Sequence, residues 1–361
     1  MLNHQTIPIK GLFDILPDYI KCGFVPLLLG QPGIGKTEVM YQILRSMGYD
    51  YIYKMNPNTM EITDLHGTPG HSKDEATGIP ITVWYAPVQW LKIIQAHSEG
   101  KKIALIIDEV FQADDNQAKF LSKLILERMA GDLELPKELA IVAAGNREED
   151  NSLSSTELGA MVWDRFKPLE IEPCAESWLE WAIPNNVHQD IIAGIHTNPT
   201  WITEGFNPDV RKSSTPRGQV HLSNYMKQIG GFPKGNYQMA QIESFVGKTV
   251  ALEMVAFQRV KDSLPNVEDI HKDPNNAPLP EKDRADVMYT LSTVLGHFAN
   301  KDNLTATVKY CKRLEKDFSI IVLGDIWKRD KKMAWSNKEF QDFVLANRNV
   351  RIFTDILDDN K

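Results

Sequence analysis

The fold is decided by one stretch near the start of the chain, Leu27-Leu28-Leu29-Gly30-Gln31-Pro32-Gly33-Ile34-Gly35-Lys36-Thr37. Its last eight residues match the pattern Gly-x-x-x-x-Gly-Lys-Ser/Thr, with an apolar strand pattern before them and a helical pattern after them. Glycines allow backbone angles that other residues avoid, so successive N–H groups can turn inward around a phosphate at the positive end of a helix. The stretch therefore predicts a phosphate-binding loop between a strand and a helix.

Two side chains at the end of this loop have predicted roles in binding a nucleoside triphosphate. Lys36 is expected to neutralise the β- and γ-phosphates. Thr37 offers a hydroxyl to Mg²⁺, which needs near-octahedral oxygen coordination while it bridges two phosphates. The predicted contacts with ATP and its magnesium ion therefore comprise Gly30, Gln31, Pro32, Gly33, Ile34, Gly35, Lys36, Thr37 and Glu38.

A second Gly-Lys-Thr sequence occurs at Gly247-Lys248-Thr249. It lacks the upstream glycine and the preceding strand pattern, and apolar residues recur around it at three- and four-residue intervals. We therefore predict that it lies inside one amphipathic helix over residues 241–260 and has no part in phosphate binding.

An apolar run that ends in two carboxylates follows later in the chain, Ile103-Ala104-Leu105-Ile106-Ile107-Asp108-Glu109. A run this apolar predicts a strand buried on both faces of a parallel sheet, and functional groups gather at the carboxyl end of such strands. Asp108 is expected to hold Mg²⁺, directly or through water, and Glu109 to polarise the attacking water. Taken alone, a charged strand end facing solvent explains the pair equally well, but the phosphate-binding loop upstream favours the functional interpretation.

Short apolar runs alternate with helical patterns through the first half of the chain. Strands are predicted at residues 26–30, 51–55, 103–110, 139–146 and 168–171, and helices from the glycine-rich turn at 33–37, over 87–97 and over 117–129. This alternation is typical of an α/β protein that covers a parallel sheet with helices on both faces. We therefore predict a three-layer domain with a five-stranded parallel sheet.

Helical patterns replace the strands after about Pro173. Apolar spacing predicts helices over 241–260 and 287–298, whereas residues 266–282, rich in Pro, Asn and Asp, predict a surface loop. We predict a nucleotide-binding core over 1–175, a second, helical domain over 176–300, for which the resemblance described below implies the role of a lid, and a C-terminal helical extension over 301–361 that completes this lid or docks a partner.

Composition narrows the class of protein. The chain has 361 residues, of which 42% are hydrophobic, enough for a full α/β core and a second, smaller domain. Its net charge of −8 argues against a protein that mainly grips nucleic-acid backbones. The three widely spaced cysteines suggest neither a disulfide framework nor a zinc site. No stretch approaches the roughly 20 apolar residues of a membrane span and the first residues lack a secretory-signal pattern, so we expect a soluble, cytoplasmic protein.

The paired loop and carboxylate motifs resemble the Walker A and Walker B elements of AAA+ ATPases. Further segments in the same order resemble the MoxR-like branch of that family, and the resemblance covers roughly residues 25–225. It implies an AAA+ fold with a C-terminal lid, and hydrolysis of ATP with Mg²⁺ in a homo-oligomeric ring, most simply a hexamer. The segments that carry it are Leu126-Glu127-Arg128-Met129-Ala130-Gly131-Asp132, Leu135-Pro136, Ala143-Ala144-Gly145-Asn146-Arg147-Glu148, Asp164-Arg165-Phe166 and Thr215-Pro216-Arg217.

The resemblance also implies roles for three side chains. Asn146 corresponds to the sensor that holds the attacking water, although Asn also ends strands for local turn reasons. Arg165 corresponds to the arginine finger that reaches a neighbouring subunit, and Arg217 to the second sensor, which contacts the γ-phosphate within its own subunit. An ion pair is the alternative for Arg165, as a helix-surface position is for Arg217. Arg128 and Arg147 are other candidates for the residue that acts across subunits.

Residues 64–70, followed by Trp84-Tyr85-Ala86-Pro87 and Trp90, resemble a segment that forms an inserted hairpin near the ring's central opening in this branch. Ordinary packing is the alternative, and it is the one expected for Trp90. For His66 both interpretations stay open.

The function implied by the resemblance is chaperone-like remodelling of a protein, often a partner with a von Willebrand factor A domain. One alternative is a DNA-directed motor, such as a helicase, a clamp-loader-like subunit or part of a restriction system, against which the acidic composition weighs. Another is a scaffold that binds nucleotide and hydrolyses it slowly. Against it stand the hydrolysis residues Lys36, Asp108, Glu109 and Asn146.

Overall fold

A computed structural model describes residues 6–147, 150, 163–204, 206–207, 210–262, 264–281 and 283–358. Glu148, quoted above with the sensor segment, lies outside the described residues. Contacts divide the chain into two compact units, Met1–Trp181 with Ile202–His221, and Ala182–Trp201 with Leu222–Lys361. The first unit has a hydrophobic core on each face of its sheet, and the second unit has a core of its own.

The described residues of the first unit form a six-stranded sheet in which every pair is parallel. Its order is β1-β10-β2-β9-β6-β3. The strands of this unit, including two short hairpins, are β1 Ile7–Pro8, β2 Val25–Leu29, β3 Tyr51–Met55, β4 Thr68–Lys73, β5 Pro80–Tyr85, β6 Ile103–Ile107, β7 Met129–Ala130, β8 Leu133–Glu134, β9 Ala140–Gly145 and β10 Phe166–Glu172.

The predicted three-layer parallel fold is confirmed, with two corrections. The sheet has a sixth strand, β1, whose two residues pair with Ile171 and Glu172 and are too few to produce a pattern in the sequence. Strand β6 ends at Ile107 rather than at Val110, because Glu109 has a φ of 55° and a 3-10 turn follows at Val110–Gln112.

Helices cover both faces of this sheet. The helices of this unit are α1 Leu12–Lys21, α2 Lys36–Ser46, α3 Ile62–His66, α4 Val88–Ser98, α5 Asp115–Glu127 and α6 Ala175–Ala182, and α1 to α5 contribute side chains to the cores on the two faces. Strand β6 is buried throughout, and its side chains alternate between the two cores. Leu105 packs with Trp90 and Phe120 on one face. On the other face, Ile106 joins the core formed by α1 and α2.

Trp90 belongs to the core, as predicted. It is fully buried, and its indole Nε1 donates a hydrogen bond of 2.8 Å to the carbonyl of Leu65. His66 packs its ring 4.9 Å from that of Phe120, and burial lowers the pKa of His66. These contacts hold the base of the β4–β5 hairpin, in which Thr68 pairs with Tyr85.

Helices make up the second unit as far as it is described. Together with the segments that lead into it they are α7 Gln189–Thr197, α8 Thr200–Thr203, α9 Pro216–Ile229, α10 Gln238–Val246, α11 Lys248–Asp262, α12 Val267–Lys272, α13 Ala285–Phe298, α14 Leu304–Cys311, α15 Lys316–Arg329, α16 Lys331–Ser336, α17 Lys338–Ala346 and α18 Arg351–Asp358. Among the described residues, no helix combines the length and the apolar character needed to cross a membrane.

Two predictions for this region are wrong. Residues 241–260 are not one helix, because Gly247 has a φ of 77° and donates its N–H to the carbonyl of Glu243, which ends α10. The predicted loop over 266–282 contains α12, which begins where the Asn266 side chain accepts from the Glu268 N–H and which buries Ile270. The 301–361 extension shares its core with α13, since Leu291 and Leu295 belong to one cluster with Phe353.

The second unit should lose stability in mild acid because of His297, near the end of α13. Burial, the neighbouring His196 and the Arg329 guanidinium lower the pKa of His297 from 6.5 to about 4. The unfolded chain therefore binds a proton between these pH values that the folded chain does not. The contribution of His297 to the free energy of unfolding should therefore be at its maximum above pH 6.5. It should fall by about 1–2 kcal/mol as the pH is lowered to 4.5.

Urea unfolding of the chain and of His297→Gln, followed by circular dichroism across this pH range, measures the effect. The variant should show a flatter pH dependence. His71→Gln, which alters an exposed hairpin residue, should keep the wild-type slope. Equal slopes in wild type and His297→Gln would contradict the assignment.

Candidate functional site

The candidate site lies where neighbouring strands end at the same edge of the sheet. Strands β2, β9 and β6 are adjacent and parallel. Their carboxyl ends therefore bring together the loop that begins at Gly30, the acidic pair that begins at Asp108, and Asn146. The predicted convergence of these motifs is present in the structure.

The loop after β2 depends on its glycines. Gly33 and Gly35 have φ values of 77° and 110°, which residues with a Cβ rarely adopt. A Cβ on Gly30 would also lie only 2.8 Å from the Ile171 side chain. This tight loop delivers the chain into α2 at Lys36.

The remaining predicted loop residues differ in exposure. Gln31 and Ile34 are buried and Pro32 is half-buried. The side-chain oxygen of Gln31 accepts a hydrogen bond from the backbone N–H of Phe206. Glu38, by contrast, is exposed on α2 and accepts from Gln42 at 2.8 Å, so it lies beside the loop rather than in it.

Lys36 is the buried cation of the loop. Its Nζ donates to the carbonyls of Gly30 and Gln31 at 2.6 and 3.0 Å, and to Oδ1 of Asn146 at 2.9 Å. Burial lowers its pKa to about 8, although the nearby Asp108 carboxylate raises it. The loop thus holds a desolvated ammonium group that lacks a directly bonded anion among the described residues, an arrangement suited to receiving phosphate oxygens.

Thr37 and Asp108 supply hard oxygen donors at one point. The Thr37 hydroxyl donates to Oδ2 of Asp108 at 2.9 Å, and the Asp108 side chain is only 13% exposed. The described residues contain no cluster of three or more His, Cys, Asp or Glu side chains suited to a metal. Magnesium needs no such cluster, because with nucleotide it takes one or two protein ligands beside phosphates and waters, so this donor pair fits it.

Glu109 is held in position by a residue of the neighbouring strand end. Its Oε2 accepts a 2.8 Å hydrogen bond from Nδ2 of Asn56, and its left-handed backbone turns it away from the line of β6. Its backbone N–H donates to Oδ1 of Asp108 at 3.1 Å. The two carboxylates are therefore differently placed, one beside Thr37 and one beside Asn56.

Two site residues were missed by the sequence analysis, Lys54 and Asn56. Lys54 Nζ lies 2.7 Å from Oδ2 of Asp108. Lys54 belongs to β3, which pairs with β6 so that Lys54 lies opposite Ile106, and Asn56 directly follows the last residue of β3. A lone lysine in an otherwise uncharged strand was the available signal, but the strand order that brings it to Asp108 cannot be read from spacing alone.

Arg217 also approaches the loop. Its backbone N–H donates to the carbonyl of Gly33 at 3.0 Å, and Pro216 begins α9, as the sequence predicted. The exposed Arg217 side chain is close enough to Lys36 for its charge to lower the pKa of Lys36. A second cation therefore faces the same loop.

A cavity of about 720 Å³ opens beside the loop. Gly35 and Thr37 line it from the loop side, and Arg217 from the start of α9. Aromatic side chains, among them Trp178 and Trp181, supply much of the remaining wall, which suits a flat apolar ring.

Three arginines considered for action across subunits have local partners. Arg165 donates through Nη1 to the carbonyl of Ser122 at 2.8 Å and to the Ser122 hydroxyl. Arg147 pairs with Asp150 at 2.8 Å and with Glu170 at 3.5 Å. Arg128 ends α5 in a left-handed conformation and donates to the carbonyl of Ile125. Of the three, only Arg147 has carboxylates among its described contacts, whereas Arg165 and Arg128 donate to uncharged oxygens.

Part of the chain matches a family of known proteins. Residues 26–166 match the family model described as AAA domain (dynein-related subfamily), and they contain the loop, the acidic pair and Asn146. No curated protein matches the chain. Two solved structures of Thermotoga maritima RuvB mutants are similar to the chain. One mutant is 14% identical, with 70% of each chain covered and a TM-score of 0.35. The other mutant is 15% identical, with 87% of this chain and 86% of that chain covered and a TM-score of 0.36.

Lys36→Met should weaken ATP binding by about 10- to 100-fold, because a charge-assisted contact with the phosphates is lost. Equilibrium titration with a fluorescent ATP analogue measures this. The matched control is Lys248→Met, which alters the second Gly-Lys-Thr sequence at the exposed start of α11 and should bind like wild type. A larger loss in the control than in Lys36→Met would contradict the site.

Proposed function

We propose that the chain is a magnesium-dependent ATPase of the MoxR-like AAA+ type that works as a subunit of a ring. The observation that carries the proposal is the meeting of Lys36, Thr37, Asp108, Glu109 and Asn146 at one edge of a parallel sheet, within a segment that matches an AAA domain. These groups are of the types that bind a triphosphate, hold its metal and orient water.

The phosphate-binding loop, residues 30–37, would form the cradle for the phosphates of ATP. The backbone N–H groups at the start of α2 and the Lys36 ammonium would receive the β- and γ-phosphates. Thr37 and Asp108 would hold Mg²⁺, which supplies charge neutralisation when bound. The adjoining cavity would take the nucleoside, with Trp178 and Trp181 beside the base. Arg217 would contact the γ-phosphate from α9.

Hydrolysis needs an oriented water molecule. Glu109 would accept its proton, and Asn56 holds that carboxylate through a 2.8 Å hydrogen bond. Asn146, whose Oδ1 accepts from Lys36, would hold the water or the γ-phosphate from the β9 side. Charge on the transferring group would be offset by Lys36 and by an arginine of a neighbouring subunit.

Arg165 is the residue we assign to that neighbouring site. Its contacts with Ser122 engage an uncharged carbonyl and hydroxyl, so the guanidinium keeps its charge for an anion. A ring, most simply of six subunits, would then complete each site. Binding and release of nucleotide would move neighbour and lid, and we propose remodelling of a protein client, such as a partner with a von Willebrand factor A domain, as the output.

Glu109→Gln should lower the rate of ATP hydrolysis by about 100-fold or more while ATP still binds, because general-base catalysis is worth about 10²–10⁴-fold. Steady-state phosphate release and nucleotide titration measure the two effects. Glu99→Gln, at the exposed end of α4, is the control and should hydrolyse ATP like wild type. Full activity of Glu109→Gln would remove Glu109 from the mechanism.

Mixing two inactive variants tests the role of Arg165 across subunits. Arg165→Ala should be inactive, since an arginine finger contributes about 10³–10⁵-fold, and Lys36→Met should be inactive because it binds ATP poorly. In a mixed ring, an Arg165→Ala subunit keeps its own cradle and receives Arg165 from a Lys36→Met neighbour. Hydrolysis by the mixture above the sum of the two variants is expected, and its absence in rings shown by native mass spectrometry to be mixed would contradict the assignment.

A further inference from the structure

Asp108 has a cation of the protein beside it. Lys54 Nζ lies 2.7 Å from Oδ2 of Asp108, the same oxygen that accepts the Thr37 hydroxyl at 2.9 Å. We propose that Lys54 competes with the nucleotide-bound magnesium ion for Asp108, and so sets the Mg²⁺ concentration at which the site binds its nucleotide tightly. This inference rests on the proposed function.

The three groups around Asp108 differ in whether they can share it with a metal. The Thr37 hydroxyl can offer a lone pair to Mg²⁺ while its O–H still donates a hydrogen bond to Asp108. The Glu109 N–H bonds to the other oxygen, Oδ1. The positively charged ammonium group of Lys54 contacts Oδ2 directly. A magnesium ion bound to the same oxygen would be repelled by this charge. Lys54 is therefore the group that must yield when a divalent cation binds.

The fold allows Lys54 to yield. It lies one residue before the end of β3, an edge strand of the sheet, opposite Ile106 and on the face from which Asp108 extends two residues later. Its side chain is 40% exposed, against 13% for Asp108. A flexible, half-exposed lysine can move its ammonium group into water. The ion pair with Asp108 therefore weakens Mg²⁺ binding but does not prevent it.

Two other roles for Lys54 predict different effects of its removal. If Lys54 orients Asp108 in favour of the metal, its removal should raise the Mg²⁺ requirement. If Lys54 binds a phosphate instead, its removal should weaken nucleotide binding even without Mg²⁺. The competing role predicts a lower Mg²⁺ requirement and an unchanged affinity in the absence of the metal.

The test uses the full chain and a fluorescent ADP analogue, whose binding is titrated first in EDTA and then against free Mg²⁺. A parallel titration follows free Mn²⁺ by its paramagnetic resonance signal. Lys54→Met should lower the half-saturating concentration of either metal about fivefold, the effect expected for loss of a partly exposed ion pair. Lys54→Arg, which keeps the charge, should remain near wild type.

Lys101→Met is the matched control, because it removes a lysine from a surface pair with Glu99 and changes the net charge equally. It should titrate like wild type. Lys54→Gln replaces Lys54→Met should the latter fail to fold, as judged by circular dichroism. An equal or higher metal requirement in the Lys54 variant, or weaker ADP binding in EDTA, would overturn the inference.

The same titrations separate this inference from the proposed function. A wild-type chain that binds no ADP analogue, or binds it without regard to Mg²⁺, would overturn both. A wild-type chain that shows tight, Mg²⁺-dependent binding, together with a Lys54→Met variant of identical metal dependence, would overturn the role of Lys54 alone.

Discussion

Parallel pairing of β2, β9 and β6 is the constraint on which the candidate site depends. Parallel strands end at the same edge of a sheet, so three segments far apart in the chain deliver Lys36, Asn146 and Asp108 to one place. The pairing is stable because these strands are buried on both faces, as the alternation of Leu105 and Ile106 between two cores illustrates. The same strands thus form the hydrophobic cores and position the residues of the candidate site.

Charge at this edge is balanced unevenly. Burial lowers the pKa of Lys36 to about 8, because removal from water disfavours the charged ammonium group. Asp108 is the opposite case, a carboxylate with Lys54 at 2.7 Å. A phosphate would satisfy the first group and a divalent cation would disturb the second. In the function we propose, nucleotide and metal would act on opposite members of the same cluster, and this would couple their binding.

Local patterns predicted five of the six strands of the parallel sheet, and β3 at Tyr51–Met55 agrees to the residue. They failed where one residue interrupts a pattern. Gly247 divides the apolar face predicted over 241–260, because its positive φ ends α10. The polar composition of 266–282 concealed α12, whose single buried side chain, Ile270, packs against a core built from later helices. Hydrophobic periodicity shows which face of a helix or strand is apolar, but it does not show which element that face packs against.

The sequence by itself determined the class of fold and the cradle, because eight consecutive residues encode a loop geometry that depends on backbone angles at Gly33 and Gly35. It also determined the acidic pair, since Asp108 and Glu109 end a strand that can only be buried. The tertiary structure alone decided that Lys54 contacts Asp108 and that Asn56 contacts Glu109. Their placement follows from β3 lying beside β6, and the order of strands in a sheet depends on packing among distant segments rather than on local spacing.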